Sequence, residues 1–261
     1  MEKRIGHWIL ELVLSVVCAI ACAPTPAPTA IPQSPIAVPP TGAPTAIAPS
    51  PTPASVPAFN FAKDTTWVYE GVVKWDDKGK AQQKTLTWKM HIIDKIERSD
   101  GIVGYVMQGH PIDLTFYDAS KPPSDYLYIA KANRIYQITL IDTRPIERIK
   151  DVQDALADLL NDETIVYDFP LSANKKFGPS QFLGNSDGKY TWVITEAKPN
   201  PLNGIKGVTP TNATEYTLNF KTNPDWQDVY YVPSIGITRF IYHHNGTLSD
   251  VDVKLVELTK P

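Results

Sequence analysis

Half of the chain's 24 prolines fall between residues 23 and 58, and they confine any folded domain to the residues beyond them. Proline lacks an amide hydrogen and pushes the residue before it toward extended geometry, so this stretch builds neither helix nor sheet. Its remainder is almost entirely Ala, Thr, Ser, Ile and Val, and no charged residue occurs between Glu11 and Lys63. That composition predicts a semi-rigid, disordered linker over 22–58, with an upper reach of about 110 Å in polyproline geometry. Residues 59–261 remain, enough to bury a full core as one domain. They contain no cysteine, since Cys18 and Cys22 lie upstream, which excludes disulfides and thiol catalysis from the domain. A formal net charge of −3 gives no electrostatic case for nucleic acid as a partner.

Within 59–261 the dominant pattern is alternation. Leu86, Trp88, Met90 and Ile92 share one face of a strand while Thr85, Thr87, Lys89 and His91 take the other, the period-two signature of a half-buried strand. Trp67–Val73 precedes it across the turn chemistry of Asp76-Asp77-Lys78-Gly79, and Ile102–Gln108 comes after it across Ser99-Asp100-Gly101. Strands are also predicted around Tyr126–Ala130, Arg134–Leu140, Ile165–Phe169, Tyr190–Ile194, Tyr216–Phe220, Val229–Val232, Gly236–His244 and Val251–Leu258. Asn245-Gly246 between the last two is a strong hairpin signal. Val251, Val253 and Leu255 share a face that Glu257 would continue, although Val256 and Leu258 are the apolar residues; either a bulge shifts the phase or the strand end is covered on both sides. Only Ile146, Ile149, Val152, Leu156 and Leu159 recur at three and four residues, predicting one helix over 145–161 with Pro145 in its first turn. The expected fold is mainly β (α+β): a curved antiparallel sheet or half-barrel packed against that helix.

The first residues address the chain. Lys3 and Arg4 precede an apolar run from Trp8 to Ala21, the pattern of an export signal over residues 1–21. From Leu12 to Ala23 the run is too short for a spanning helix, which needs roughly 20 residues; starting at Ile5 would place Glu11 in hydrocarbon. Ala19-Ile20-Ala21-Cys22 resembles the lipobox of bacterial lipoproteins. That resemblance implies cleavage before Cys22 and lipid attachment there, with two or three acyl chains holding the chain on the outer face of the cell membrane. Cys18 is the rival acceptor, after a poor cleavage residue, Val17; an uncleaved helical anchor and plain secretion are the alternatives.

Trp67-Val68-Tyr69-Glu70-Gly71, Phe169-Pro170-Leu171 and Tyr231-Val232-Pro233-Ser234-Ile235-Gly236-Ile237, the last leading into a closing hairpin, resemble β-rich domains of uncharacterised bacterial lipoproteins. The architecture is also similar to periplasmic lipoprotein carriers, which implies a curved sheet enclosing an apolar ligand. No residue role passes from either likeness.

Chemistry is sparse. The sequence shows no Gly-x-Ser-x-Gly elbow, no P-loop and no close metal-ligand spacing, so no catalytic, cofactor or metal residue is assigned. His91 and His110 are isolated, and the adjacent His243 and His244 face opposite ways on a strand. Asp250 and Asp252 share a strand face beside a turn. Glu70, Asp113, Glu196 and Asp228 are the carboxylates a cell-envelope hydrolase would draw on. Aromatics in strands are core by default; Tyr126, Tyr128, Tyr230 and Tyr231 are the candidate exposed binding aromatics, because adjacent or alternating tyrosines leave a ring outside a single core. The expectation is a non-enzymatic, membrane-anchored domain with a binding or assembly surface for an envelope protein or polysaccharide. A carrier of a lipid or other amphiphile between sheet and helix is the alternative.

Overall fold

The structure, a computed structural model, describes residues 59–261; the export segment, Cys18, Cys22 and the proline-rich stretch lie outside the described residues. The chain climbs through β1 (Thr66–Asp77), β2 (Lys80–Glu97), β3 (Val103–Gln108), β4 (Asp125–Lys131) and β5 (Arg134–Thr139) to a short helix, α1 (Arg144–Lys150), and β6 (Ile165–Asp168). It then returns through β7 (Lys176–Phe177), β8 (Trp192–Asn200), β9 (Ala213–Lys221), β10 (Asp225–Val232), β11 (Gly236–His244) and β12 (Ser249–Thr259). All twelve strands form one antiparallel sheet in the order β6-β5-β4-β3-β2-β1-β12-β11-β10-β9-β8-β7. Two meanders of six strands are thus zipped together by β1 and β12, with β6 and β7 left as the two free edges. The sheet curls into a nearly closed half-barrel with one packed helix, as the alternation and the single helical stripe imply.

Local chemistry sets the corners. Lys78 and Gly79 both have positive φ, and the Gly79 amide donates to the Asp76 carboxylate at 2.8 Å, so the β1–β2 turn is the two-residue hairpin that right-handed strand twist favours. In β12 the register against β1 jumps between Val68, opposite Glu257, and Tyr69, opposite Leu255. Val256 is therefore the bulged residue. Val251, Val253 and Leu255 are buried before the bulge and Leu258 after it, so the bulge resolves the phase conflict.

Register separates the two faces. Trp67, Tyr69, Val73, Met90, Ile92, Tyr105, Met107, Phe240, Val251 and Val253 point inward and are buried, and Tyr167 of β6 stacks on Tyr231 of β10 with centroids 4.2 Å apart. The β3–β5 region is buried on its outer face as well. There Ile149 of α1 sits so close to Gly104 that a Cβ on Gly104 would lie 2.4 Å from the Ile149 Cδ1.

The helix is shorter than the 145–161 stripe predicts. It ends at Lys150, and turns occupy the chain from there to β6. The cause is the run of Asp residues inside the stripe: Asp151 accepts from the Gln153 amide at 2.9 Å and Asp154 from the Leu156 amide at 2.8 Å, capturing donors a helix would direct to its own carbonyls. Arg148 then pairs with Asp154 and Asp158, both at 2.7 Å. Ile149 and Leu156 still bury against the sheet, while Val152 remains 43 % exposed.

Candidate functional site: a cavity at the seam of the half-barrel

Where the edge strand β6 approaches the inner face of β8–β10, no ladder among the described residues joins the two meanders. Side chains bridge the gap instead. Tyr167 and Tyr231 stack, and Lys175 donates to the Asp168 carbonyl and carboxylate and to the Pro170 carbonyl. Beside this seam lies a half-open cavity of about 220 Å³. Its walls come from both meanders: Tyr128, Gln137 and Ile165–Tyr167 on one side, Trp192, Leu218, Phe220 and Val229 on the other, with Phe240 and His110 between them. The lining is mainly apolar.

Polar side chains interrupt it, among them His110, Tyr128, Gln137, Glu163, Thr164 and Gln227, and the first two have defined partners. His110 is only 5 % exposed and precedes the single turn Pro111–Leu114, where its Nδ1 accepts from the Ile112 amide at 3.1 Å. Burial pushes the imidazole down to about 3, so the ring is neutral at pH 7. The Tyr128 hydroxyl donates to the Gln137 amide oxygen at 2.9 Å, and burial holds that phenol well above its ordinary value.

The structure corrects the tyrosine expectation at three positions. Tyr126, Tyr128 and Tyr231 are buried, at 4 %, 2 % and 0 % exposure. Tyr126 and Tyr128 alternate on the inner face, and their hydroxyls are satisfied there, Tyr126 by Asp113 at 2.5 Å; an internal polar partner removes the reason for either ring to seek water. Tyr230, next to inward-facing Tyr231, points outward and is half-buried between the Lys198 ammonium and the Arg239 guanidinium, 5.9 and 5.5 Å from its ring centroid. The cavity also differs from the expected place between sheet and helix, because α1 packs on the outer face whereas the cavity opens on the inner one.

The candidate carboxylates stay in separate local settings. Glu70 is exposed on β1, Asp113 holds Tyr126 and the Ser124 amide, Glu196 pairs with Lys198, and Asp228 accepts from Asn219 at 2.6 Å. His243 and His244 diverge as expected: Nδ1 of His243 lies 2.5 Å from Asp250, and Nδ1 of His244 lies 2.9 Å from the Thr247 carbonyl. Among the described residues no group of three or more His, Cys, Asp or Glu side chains is placed to hold a metal ion. A wider depression, about 470 Å³, lies on the outer face of β1, β12, β11 and β10, where Trp226 adjoins His243, Asp250 and Asp252. It is shallow, and its walls mix apolar side chains such as Val72 and Ile241 with polar ones.

Sequence reasoning missed His110 as a site residue. The one local signal is Gly109-His110-Pro111: a side chain with an acceptor placed before a proline is the pattern of a cap, and capping fixes which ring nitrogen stays free.

No family model and no curated protein matches this chain. Two solved structures are similar to it. One is a Bacteroides fragilis protein described as exported with a YmcC-like fold, 12 % identical, covering 77 % of this chain and 98 % of its own, at a TM-score of 0.38. The other is a Parabacteroides distasonis protein described as a lipoprotein, 12 % identical, covering 77 % of this chain and 97 % of its own, at a TM-score of 0.30. At that identity and TM-score no residue role passes from either to this chain.

Proposed function

We propose that this chain is a non-enzymatic extracytoplasmic binding protein, held to a membrane through Cys22, whose β domain carries a small apolar or amphiphilic molecule in the seam cavity. The carrying observation is the cavity itself: about 220 Å³ of mostly apolar space, open to solvent on one side, where a fully packed domain would keep only voids near the size of a water molecule. A dry 150 Å³ cavity accommodates benzene, so this one takes about ten non-hydrogen atoms, and a longer chain leaves through the open mouth. The burial of Tyr126, Tyr128 and Tyr231 weakens the competing picture of a solid domain displaying an aromatic patch. That picture keeps one supporting feature, the outer depression beside Trp226.

The full chain purified from its own host and analysed by native mass spectrometry, before and after lipid extraction, tests the reading. A discrete small molecule is expected in the native sample, lost on extraction and absent from a Val229→Trp variant, whose indole fills the cavity. A bare chain in every preparation contradicts it. The anchor has its own test: Cys22→Ser is expected to release the protein from the membrane fraction, and continued retention without detergent contradicts lipid attachment.

A further inference from the structure

We propose that the seam cavity selects neutral ligands bearing a hydrogen-bond acceptor, such as a ketone, ester or alcohol on about ten heavy atoms, and that the Nε2–H of His110 is the group that reads it. This rests on the carrier reading of the seam cavity and specifies its chemistry.

The tautomer is set by the cap. Nδ1 of His110 accepts from the Ile112 amide, so in the neutral ring the proton sits on Nε2. The ring, only 5 % exposed, lines the cavity. Its other neighbours are the rings of Tyr126, Tyr128 and Phe240, and Nε2 has no hydrogen-bond partner among the described residues. Only solvent in the half-open cavity can satisfy that donor, and a bound molecule that displaces this water must supply an acceptor or leave the donor unpaired at a cost in free energy. The amide hydrogens of Gln137, whose oxygen is engaged by Tyr128, add a second neutral donor to the same wall.

Charge decides which acceptor fits. Among the described residues no Lys or Arg lines the cavity, and the one carboxylate there is that of Glu163. A carboxylate or phosphate ligand would lose its hydration without gaining a cation, a larger penalty than one neutral hydrogen bond offsets. A cationic ligand would find its carboxylate at Glu163, which is exposed to solvent, and would meet a donor rather than an acceptor at the buried His110. A neutral carbonyl or hydroxyl meets neither difficulty. Trp192, Leu218 and Phe240 supply the apolar contact that holds the rest of the molecule.

The test uses the full chain in amphipol, with Leu218 methyl shifts in NMR reporting occupancy of the cavity. Three probes of similar length are titrated: 2-nonanone, nonane and octanoate. Two variants divide the imidazole. In His110→Asn the amide oxygen replaces Nδ1 as the cap for Ile112, and no donor remains at the place of Nε2. In His110→Gln the amide nitrogen reaches the place of Nε2, and the cap is lost. The ketone-to-alkane affinity ratio is expected to fall about tenfold in His110→Asn, the effect of one hydrogen bond, and to stay within about threefold of the original in His110→Gln. Octanoate is expected to bind more weakly than the ketone. An unchanged ratio in His110→Asn with both probes still bound, or octanoate binding tightest, overturns the assignment to His110 and a neutral acceptor while leaving the cavity reading intact. If no probe moves the Leu218 methyls, or if Val229→Trp leaves all affinities unaltered, the cavity reading falls and the inference with it.

Discussion

The two meanders of the sheet meet twice, and the two meetings are built from different chemistry. At the β1–β12 join, backbone pairs run from Thr66 opposite Thr259 to Trp75 opposite Ser249. The strands press so closely there that a Cβ on Gly71 would lie 2.0 Å from the Asp252 carbonyl oxygen. Trp67, fully buried in the same region, donates its indole hydrogen to the Ile235 carbonyl at 2.6 Å. At the seam the contact is made by side chains, chiefly Tyr167 on Tyr231 and Lys175 around Asp168. A backbone ladder fixes spacing at roughly 4.8 Å and leaves no room for a guest; a side-chain seam leaves irregular space, and the cavity is that space. One sheet thereby supplies both a ladder closure and, at the seam, an open cavity.

The largest effect that would break this comparison is at the join. Trp67→Ala is expected to cost about 3–5 kcal/mol in urea unfolding, through lost burial and the Ile235 carbonyl left without its donor. A cost no greater than that of a seam substitution would mean the join is not the stronger closure. Acidification acts on the cavity side. His110 is depressed to about 3 in the folded chain against an ordinary 6.5, so between these values the unfolded chain binds a proton that the folded chain refuses, and stability falls with falling pH at about 1.4 kcal/mol per unit. The loss between pH 6.5 and 5 is thus about 2 kcal/mol, above the range where most carboxylates titrate, and the slope is expected to lose one proton in His110→Asn. An identical slope in that variant assigns the proton to another group.

Smaller still, Tyr167→Leu keeps apolar bulk but removes the ring stack, for about 1 kcal/mol, and hydrogen exchange is expected to quicken in β6 while β1 and β12 hold. Equal quickening in all three strands would show that seam and join open together. Asp252→Asn comes last. Arg239 holds the Asp252 carboxyl below its usual range through a two-pronged pair at 2.6 and 2.9 Å, yet both side chains remain partly exposed. The expected loss is about 0.5 kcal/mol or less, and it shrinks with added salt. A salt-sensitive loss above about 1 kcal/mol would mean that this ion pair between β11 and β12, and not the ladder alone, holds β12 in place beside the join.

Much of the join is legible in the sequence and little of the seam. Alternation in Trp67–Val73, Leu86–Ile92 and Val251–Leu258 marks strands because one face of each is buried, and the broken phase at Val256–Glu257 marks the bulge. Asn245-Gly246 places the last hairpin. Helical spacing over 145–161 misleads because spacing registers only apolar positions, whereas Asp151 and Asp154 act through hydrogen bonds to the backbone. The tyrosines mislead for a related reason: alternation says that Tyr126 and Tyr128 share a face, but not that Asp113 and Gln137 wait on that face for their hydroxyls. The cavity is least legible of all. It depends on Tyr128, Ile165, Leu218 and His110 meeting across the curl of the sheet, and nothing in a single strand encodes that curl.

Amide hydrogen exchange of the full chain, with and without saturating 2-nonanone, tests most directly the claim that the seam binds and the join does not. The expected result is added protection in β6 and in the β9–β10 segment around Leu218 and Val229, with β1 and β12 unaltered. Protection confined to the outer depression around Trp226 and His243, or none anywhere, would contradict the account.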